Sequence, residues 1–236
     1  MTMALLQNVL AIACKDIKQM RKLLLFLNGL LLVYSMLLAF LDELDGDLVP
    51  VAMMLVIGVA GFATRSAMAE EQHWRFLYSL PLTKSHIALG KYVALLAAAS
   101  LYLLSAAGGL VLRTLFQRYV AGSSNGLVDS PVASLWQLAI FTGVSLLFAG
   151  ALLAVAFRWG IRTAMNLQFV PLVFVFFGAI PGFKELAHKV RDTVLMTWQA
   201  VNPGPGATAV IFILAILAIY WLQAFISARL LESREV

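Results

Sequence analysis

Long apolar runs separated by short polar or charged stretches set the plan of this chain. Six runs, at about 23–41, 48–69, 91–112, 133–157, 165–182 and 207–227, each supply the ~20 mostly apolar residues a helix needs to cross a bilayer. None alternates with the period of two that marks a membrane-barrel strand. The pattern therefore predicts an all-α polytopic membrane protein with six transmembrane helices. Pro171, Pro181 and Gly182 interrupt the fifth run, and such breaks are tolerated where neighbouring helices re-satisfy the freed carbonyls. The first run is longer than the apolar part of a signal peptide. It leads into Asp42-Glu43-Leu44-Asp45-Gly46-Asp47 with no small-x-small cleavage site, so it is expected to stay in the mature chain.

Between the runs the pattern changes. In residues 1–22, Leu6, Val9, Leu10, Ala13, Ile17 and Met20 recur at helical spacing, with Asn8, Lys15, Lys18, Gln19 and Lys22 opposite. That is an amphipathic helix suited to the cytoplasmic interface, set apart from a transmembrane domain at 23–236. The plainer alternative is a basic leader that only fixes topology. Segment 183–200 repeats the device: Phe183, Leu186, Ala187, Val190 and Val194 oppose Lys184, Glu185, His188 and Arg191. A turn at Asn202-Pro203-Gly204-Pro205-Gly206 then opens the last run. Between the second and third runs a charged, aromatic helical stretch from Glu70 ends at Pro81, which pushes Leu80 out of the α region. Thr83 is placed to cap the next helix. Trp74, Phe76 and Tyr78 either anchor a rigid helix parallel to the membrane, able to receive a push from a soluble partner, or form an interfacial belt needing none.

Composition narrows the classes. The chain is 62% hydrophobic and 12% charged, against about 45–50% and 25% in soluble domains, so a soluble enzyme is excluded. A formal charge of +5 invites nucleic acid, but the cations flank apolar runs instead of forming a stripe. With both termini inside, twelve Lys and Arg fall on inner segments and five on outer ones, the positive-inside bias of a cytoplasmic membrane protein. Cys14 is the one cysteine, so no intrachain disulfide forms, and no Cys/His spacing suits a metal. Gly90-Lys91 is followed by Tyr92 and lacks the rest of a phosphate loop. No cofactor is expected on this chain, and any ATP that drives it binds elsewhere. Small residues crowd Ala97–Ser100 and Ser105–Gly109, with Gly143 and Gly150 beyond, marking close helix contacts within or between protomers. Asn28, Arg65, Gln137, Asn166, Gln168 and Gln223 are the polar residues in or near the runs. The amides are expected to hydrogen-bond between helices, and Arg65 to snorkel.

Glu71, Trp74, Tyr78-Ser79-Leu80-Pro81, Lys84, Ile87 and Gly90-Lys91-Tyr92 resemble the loop between spans two and three of type-2 ATP-binding-cassette (ABC) exporter permeases. The nearest likeness is to the small six-span permeases of bacterial peptide and toxin export. It covers the whole chain as a pattern and about twenty residues in detail. The resemblance implies a permease subunit in the bacterial plasma membrane, paired with a second copy or a paralogue and with separate cytoplasmic ABC ATPase subunits that carry ATP and magnesium. Glu70, Glu71, Trp74, Arg75, Tyr78, Ser79, Leu80, Pro81 and Lys84 would then form a coupling helix docked on the ATPase. The Arg158–Thr163 turn, with Arg158 and Arg162, would be a smaller second contact. The cargo would be amphipathic: a peptide, a toxin or a lipid-like molecule.

Two other classes compete. Glu70-Glu71-x-x-x-Arg75 matches the first motif of CAAX-type intramembrane proteases, whose paired glutamates activate water. The histidines fit that chemistry poorly: His86 and His188 lack an asparagine four residues on, and His188 falls on the opposite side of the membrane from Glu70. The third class is a membrane anchor or sensor using the same loop to dock a cytoplasmic partner.

Overall fold

The computed structural model describes residues 3–37, 49–79, 83–120, 131–170 and 205–232, which form seven helices and no strand. They are α1 (Met3–Gln19), α2 (Arg21–Leu37), α3 (Val49–Ser79), α4 (Lys84–Val120), α5 (Pro131–Trp159), α6 (Ile161–Leu167) and α7 (Pro205–Glu232). Among the described residues three stretches are long and apolar enough to cross a membrane: Lys84–Leu115, Leu138–Trp159 and Val210–Glu232. Met53–Met68 of α3 is a shorter apolar stretch. The end of the first expected run, most of the fifth, and segment 183–200 lie outside the described residues.

Helix α4 is the hub, packing against α1, α2, α3, α5 and α7. Paired contacts give the directions. Asn28 meets Ser105 and Ser35 meets Gly109, so α2 and α4 run the same way. Ser66 meets Lys91 and Gly58 meets Tyr102, so α3 runs against α4. Gly143 meets Ile216 and Gly150 meets Gln223, so α5 and α7 run together. The close approaches at Gly109, Gly143 and Gly150 join helices of one protomer, because a Cβ there would strike Ser35, Ile216 or Gln223.

Tyr92, Tyr102, Phe62, Leu55 and Leu95 are fully buried, whereas Leu104, Leu214, Leu222 and Phe225 stand exposed on α4 and α7. Water does not tolerate apolar faces of that extent, but lipid does. Two boundaries differ from the pattern's expectation. Helix α4 starts at Lys84, directly after the cap expected at Thr83, but runs on past the expected end of the third run near residue 112 to Val120. The N-terminal helix ends at Gln19, and backbone hydrogen bonds from Met20 to Asp16 (3.0 Å) and Leu24 to Met20 (2.9 Å) carry the chain into α2.

Candidate functional site

The N-terminal segment is helical, as its spacing predicts, but its buried face is rotated from the expected stripe. Val9, Ile12, Ala13, Asp16 and Met20 are buried while Leu6 and Leu10 are exposed. The cause is the contact with α4: a Cβ at Gly90 would lie 2.7 Å from the Ile12 side chain and 3.1 Å from the Val9 carbonyl oxygen. Only the hydrogen of glycine admits α1 that closely. The rotation turns an acid inward, and Asp16 is met by Lys91.

Lys91 Nζ donates to Asp16 Oδ2 (3.0 Å), to the Ser66 carbonyl oxygen (2.8 Å) and to Ser66 Oγ (3.0 Å), while Ser66 Oγ donates to Asp16 Oδ2 (2.6 Å). The Lys91 and Asp16 side chains are 3% and 5% exposed. Three donor protons of the ammonium find three acceptors, so burial of the pair is compensated. Three helices, α1, α3 and α4, meet at this one charge pair.

Gly90, Lys91 and Tyr92 are consecutive, and successive helical residues point about 100° apart, so each meets a different neighbour. Gly90 receives α1, and Lys91 holds α1 and α3. Tyr92 reaches α5 and α7: its hydroxyl donates to the Gly150 carbonyl oxygen (2.7 Å) and accepts from Ser227 Oγ (2.7 Å). The Tyr220 hydroxyl in turn donates to the Tyr92 carbonyl oxygen. Sequence reading picked out this tripeptide as part of a familiar loop. Its place as the junction of five helices became visible only in three dimensions.

Beyond the junction project the ends of α3 and α4. Glu70, Glu71, Trp74, Arg75, Tyr78 and Ser79 lie on the last turns of α3, which is one uninterrupted helix from Val49. The expected short helix is thus continuous with the helix that precedes it. Leu80 and Pro81 lie outside the described residues. Thr83 caps α4 as its spacing suggests, with His86 N 3.0 Å from the Thr83 carbonyl oxygen and 3.4 Å from its Oγ1. Lys84, the first residue of α4, is half-buried. Arg158 and Arg162 are exposed on either side of Gly160, whose φ of 89° lets α5 turn into α6.

A cleft of about 730 Å³ opens beside this junction, lined by Met20, Ile57, Gly61, Met68, Met165 and Phe169 with Gln19, Thr64, Arg65 and Gln168. Thr64 Oγ1 and Gln168 Oε1 close one wall at 3.0 Å. Two of the expected amide bonds are present, Asn28 with Ser105 (2.6 Å) and Gln168 with Thr64. Gln223 Oε1 is buried against Gly150 without a partner. Arg65 is exposed, in keeping with a snorkelling cation.

Apolar helices with exposed hydrophobic flanks, gathered round a hub and closed at one end by a buried charge pair, define an integral membrane protein of the helical-bundle class. A family model described as ABC-2 family transporter protein matches residues 12–232, and the chain belongs to that family. It is therefore a permease component of an ABC transporter, and permeases of this family work with ABC ATPase subunits. No curated protein and no solved structure matches the chain.

Proposed function

We propose that this permease serves an ATP-driven exporter of amphipathic molecules in the bacterial plasma membrane. In this reading it has six spans, both termini in the cytoplasm, and a second permease copy or paralogue beside it. The observation that carries the reading is the family match over residues 12–232. It favours transport over the protease suggested by Glu70-Glu71. The parallel run of α5 and α7 supports an uneven number of crossings between Trp159 and Pro205, hence a fifth span.

The coupling role of Glu70–Lys84 draws support from dimensions. Thirteen residues of α3 follow Ser66 and seven of α4 precede Lys91, which at ~1.5 Å per residue extend about 20 and 10 Å past the charge pair. A stem of that length, on the side favoured by the positive-inside bias, reaches a cytoplasmic partner. Arg158 and Arg162 offer a second exposed contact. The cleft supports an amphipathic cargo, because its wall is apolar with a few polar groups, and its volume falls within the range of small-molecule sites.

Closure of paired ATPases would shift the hairpin tip, provided the partner binds two states of the permease unequally. Glu71→Lys combined with Trp74→Ala should uncouple ATP hydrolysis from transport while the chain still inserts. The measurement is transport per ATP hydrolysed in proteoliposomes holding the permease and its ATPase subunits. Undiminished transport per ATP in that double variant would defeat the coupling role.

A further inference from the structure

We infer that Asp16, Ser66 and Lys91 are positioning residues of the coupling apparatus, clamping α1 to both stems of the α3–α4 hairpin so that the three helices travel as one body. The inference rests on the coupling reading of that hairpin and adds to it a mechanical role for the N-terminal helix.

Geometry argues for a clamp over a packing accident. Gly90 and Ile12 already bring α1 against α4, so contact alone needs no charge. Buried ion pairs rarely stabilise more than well-packed apolar residues of equal size, and their attested use is to fix register. Here the register fixed is that of three helices at once. Ser66 accepts from Lys91 through its hydroxyl and its carbonyl and donates to Asp16, so neither stem can slide along α1 without stranding a buried charge. The pair also sits at the base of both stems, where a displacement of the tip enters the bundle. Apolar contacts would allow slippage at that point, whereas hydrogen bonds to an ion tolerate little.

The test uses the full permease with its ATPase subunits in liposomes, with spin labels on the native Cys14 and on Ser85→Cys. In the otherwise native chain the Cys14–Ser85 distance should be the same in nucleotide-free and ATP-trapped states, while Ser85→Cys to Phe225→Cys changes in a Cys14→Ser background. A Cys14–Ser85 distance that changes between the states overturns the clamp. An unchanged Ser85–Phe225 distance brings down the coupling reading itself, and the clamp with it.

The second arm replaces the pair. Lys91→Met alone strands Asp16 and should cost expression. Asp16→Leu with Lys91→Met removes both charges and leaves Ser66 free to bond within its own helix. That double variant should fold, yet broaden the Cys14–Ser85 distance and lower transport per ATP severalfold. The exchange Asp16→Lys with Lys91→Asp should narrow the distance and restore transport. Wild-type transport per ATP in the apolar variant would show a merely structural pair and overturn the inference. If the apolar variant does not accumulate, the exchanged one decides: recovered transport supports the clamp, and uncoupled transport at normal yield overturns it.

Discussion

Tyr92 and Tyr102 lie on one helix, are equally buried, and should respond oppositely to loss of the hydroxyl. The Tyr92 hydroxyl joins Gly150 and Ser227, so Tyr92→Phe removes both bonds and strands the Ser227 hydroxyl between α5 and α7, while the Gly150 carbonyl keeps its bond within α5. Leaving such groups unpaired costs about 1–3 kcal/mol. The Tyr102 hydroxyl is buried without a partner, so Tyr102→Phe removes an unmet demand and should leave stability unchanged or raise it. Thermal melting of the two purified variants in detergent checks the pair. A lower melting temperature for Tyr102→Phe would show that its ring, which packs on Gly58, depends on the hydroxyl for its position. That Asp16 turns inward was not legible, since the apolar stripe of Leu6, Val9, Leu10, Ala13, Ile17 and Met20 leaves it out. Nor was its partner, because Lys91 is 75 positions away and only packing brings them together.

At the scale of elements, periodicity and breakers foretold most helices, and departures have local causes. The cap at Thr83 and the helical character of Glu70–Ser79 were legible from proline rules and spacing. Continuity of α3 through the membrane boundary was not, because a change of polarity resembles a change of element. Glycines divide in the same way. Gly90 is filled by Ile12, whereas a Cβ at Gly61 meets nothing within 4 Å and borders the cleft. Gly90→Leu should therefore separate α1 from α4 and reduce folded yield. Gly61→Trp should fold, bind the ATPase subunits normally, and transport poorly because the indole occupies the cleft. Uptake assays on inside-out vesicles, beside the copurified ATPase yield, distinguish the two. Normal transport by Gly61→Trp would remove the cleft from the cargo's route.

For the whole molecule, the order of crossings decides which end meets the energy source. In the proposed topology the charge bias puts Lys15, Lys18, Arg65, Lys84 and Arg158 on one side. The packing brings the helix ends that carry them together, since Asp16, Ser66 and Lys91 meet at one level and Tyr92 meets Gly150 and Ser227 at the next. The packing thus agrees with the proposed topology, which gives these helix ends to one side. The parallel run of α5 and α7 agrees with the proposed topology, in which the fifth span returns across the membrane before Lys184 and leaves Lys184 on the side opposite Ser85. In a Cys14→Ser background, Lys184→Cys in intact cells should react with an impermeant maleimide, and Ser85→Cys only after permeabilisation. If Lys184→Cys required permeabilisation as well, the proposed fifth span before Lys184 would fail. If Ser85→Cys reacted from outside, the hairpin would face away from any cytoplasmic ATPase. The two labels therefore test the span count and the coupling side separately.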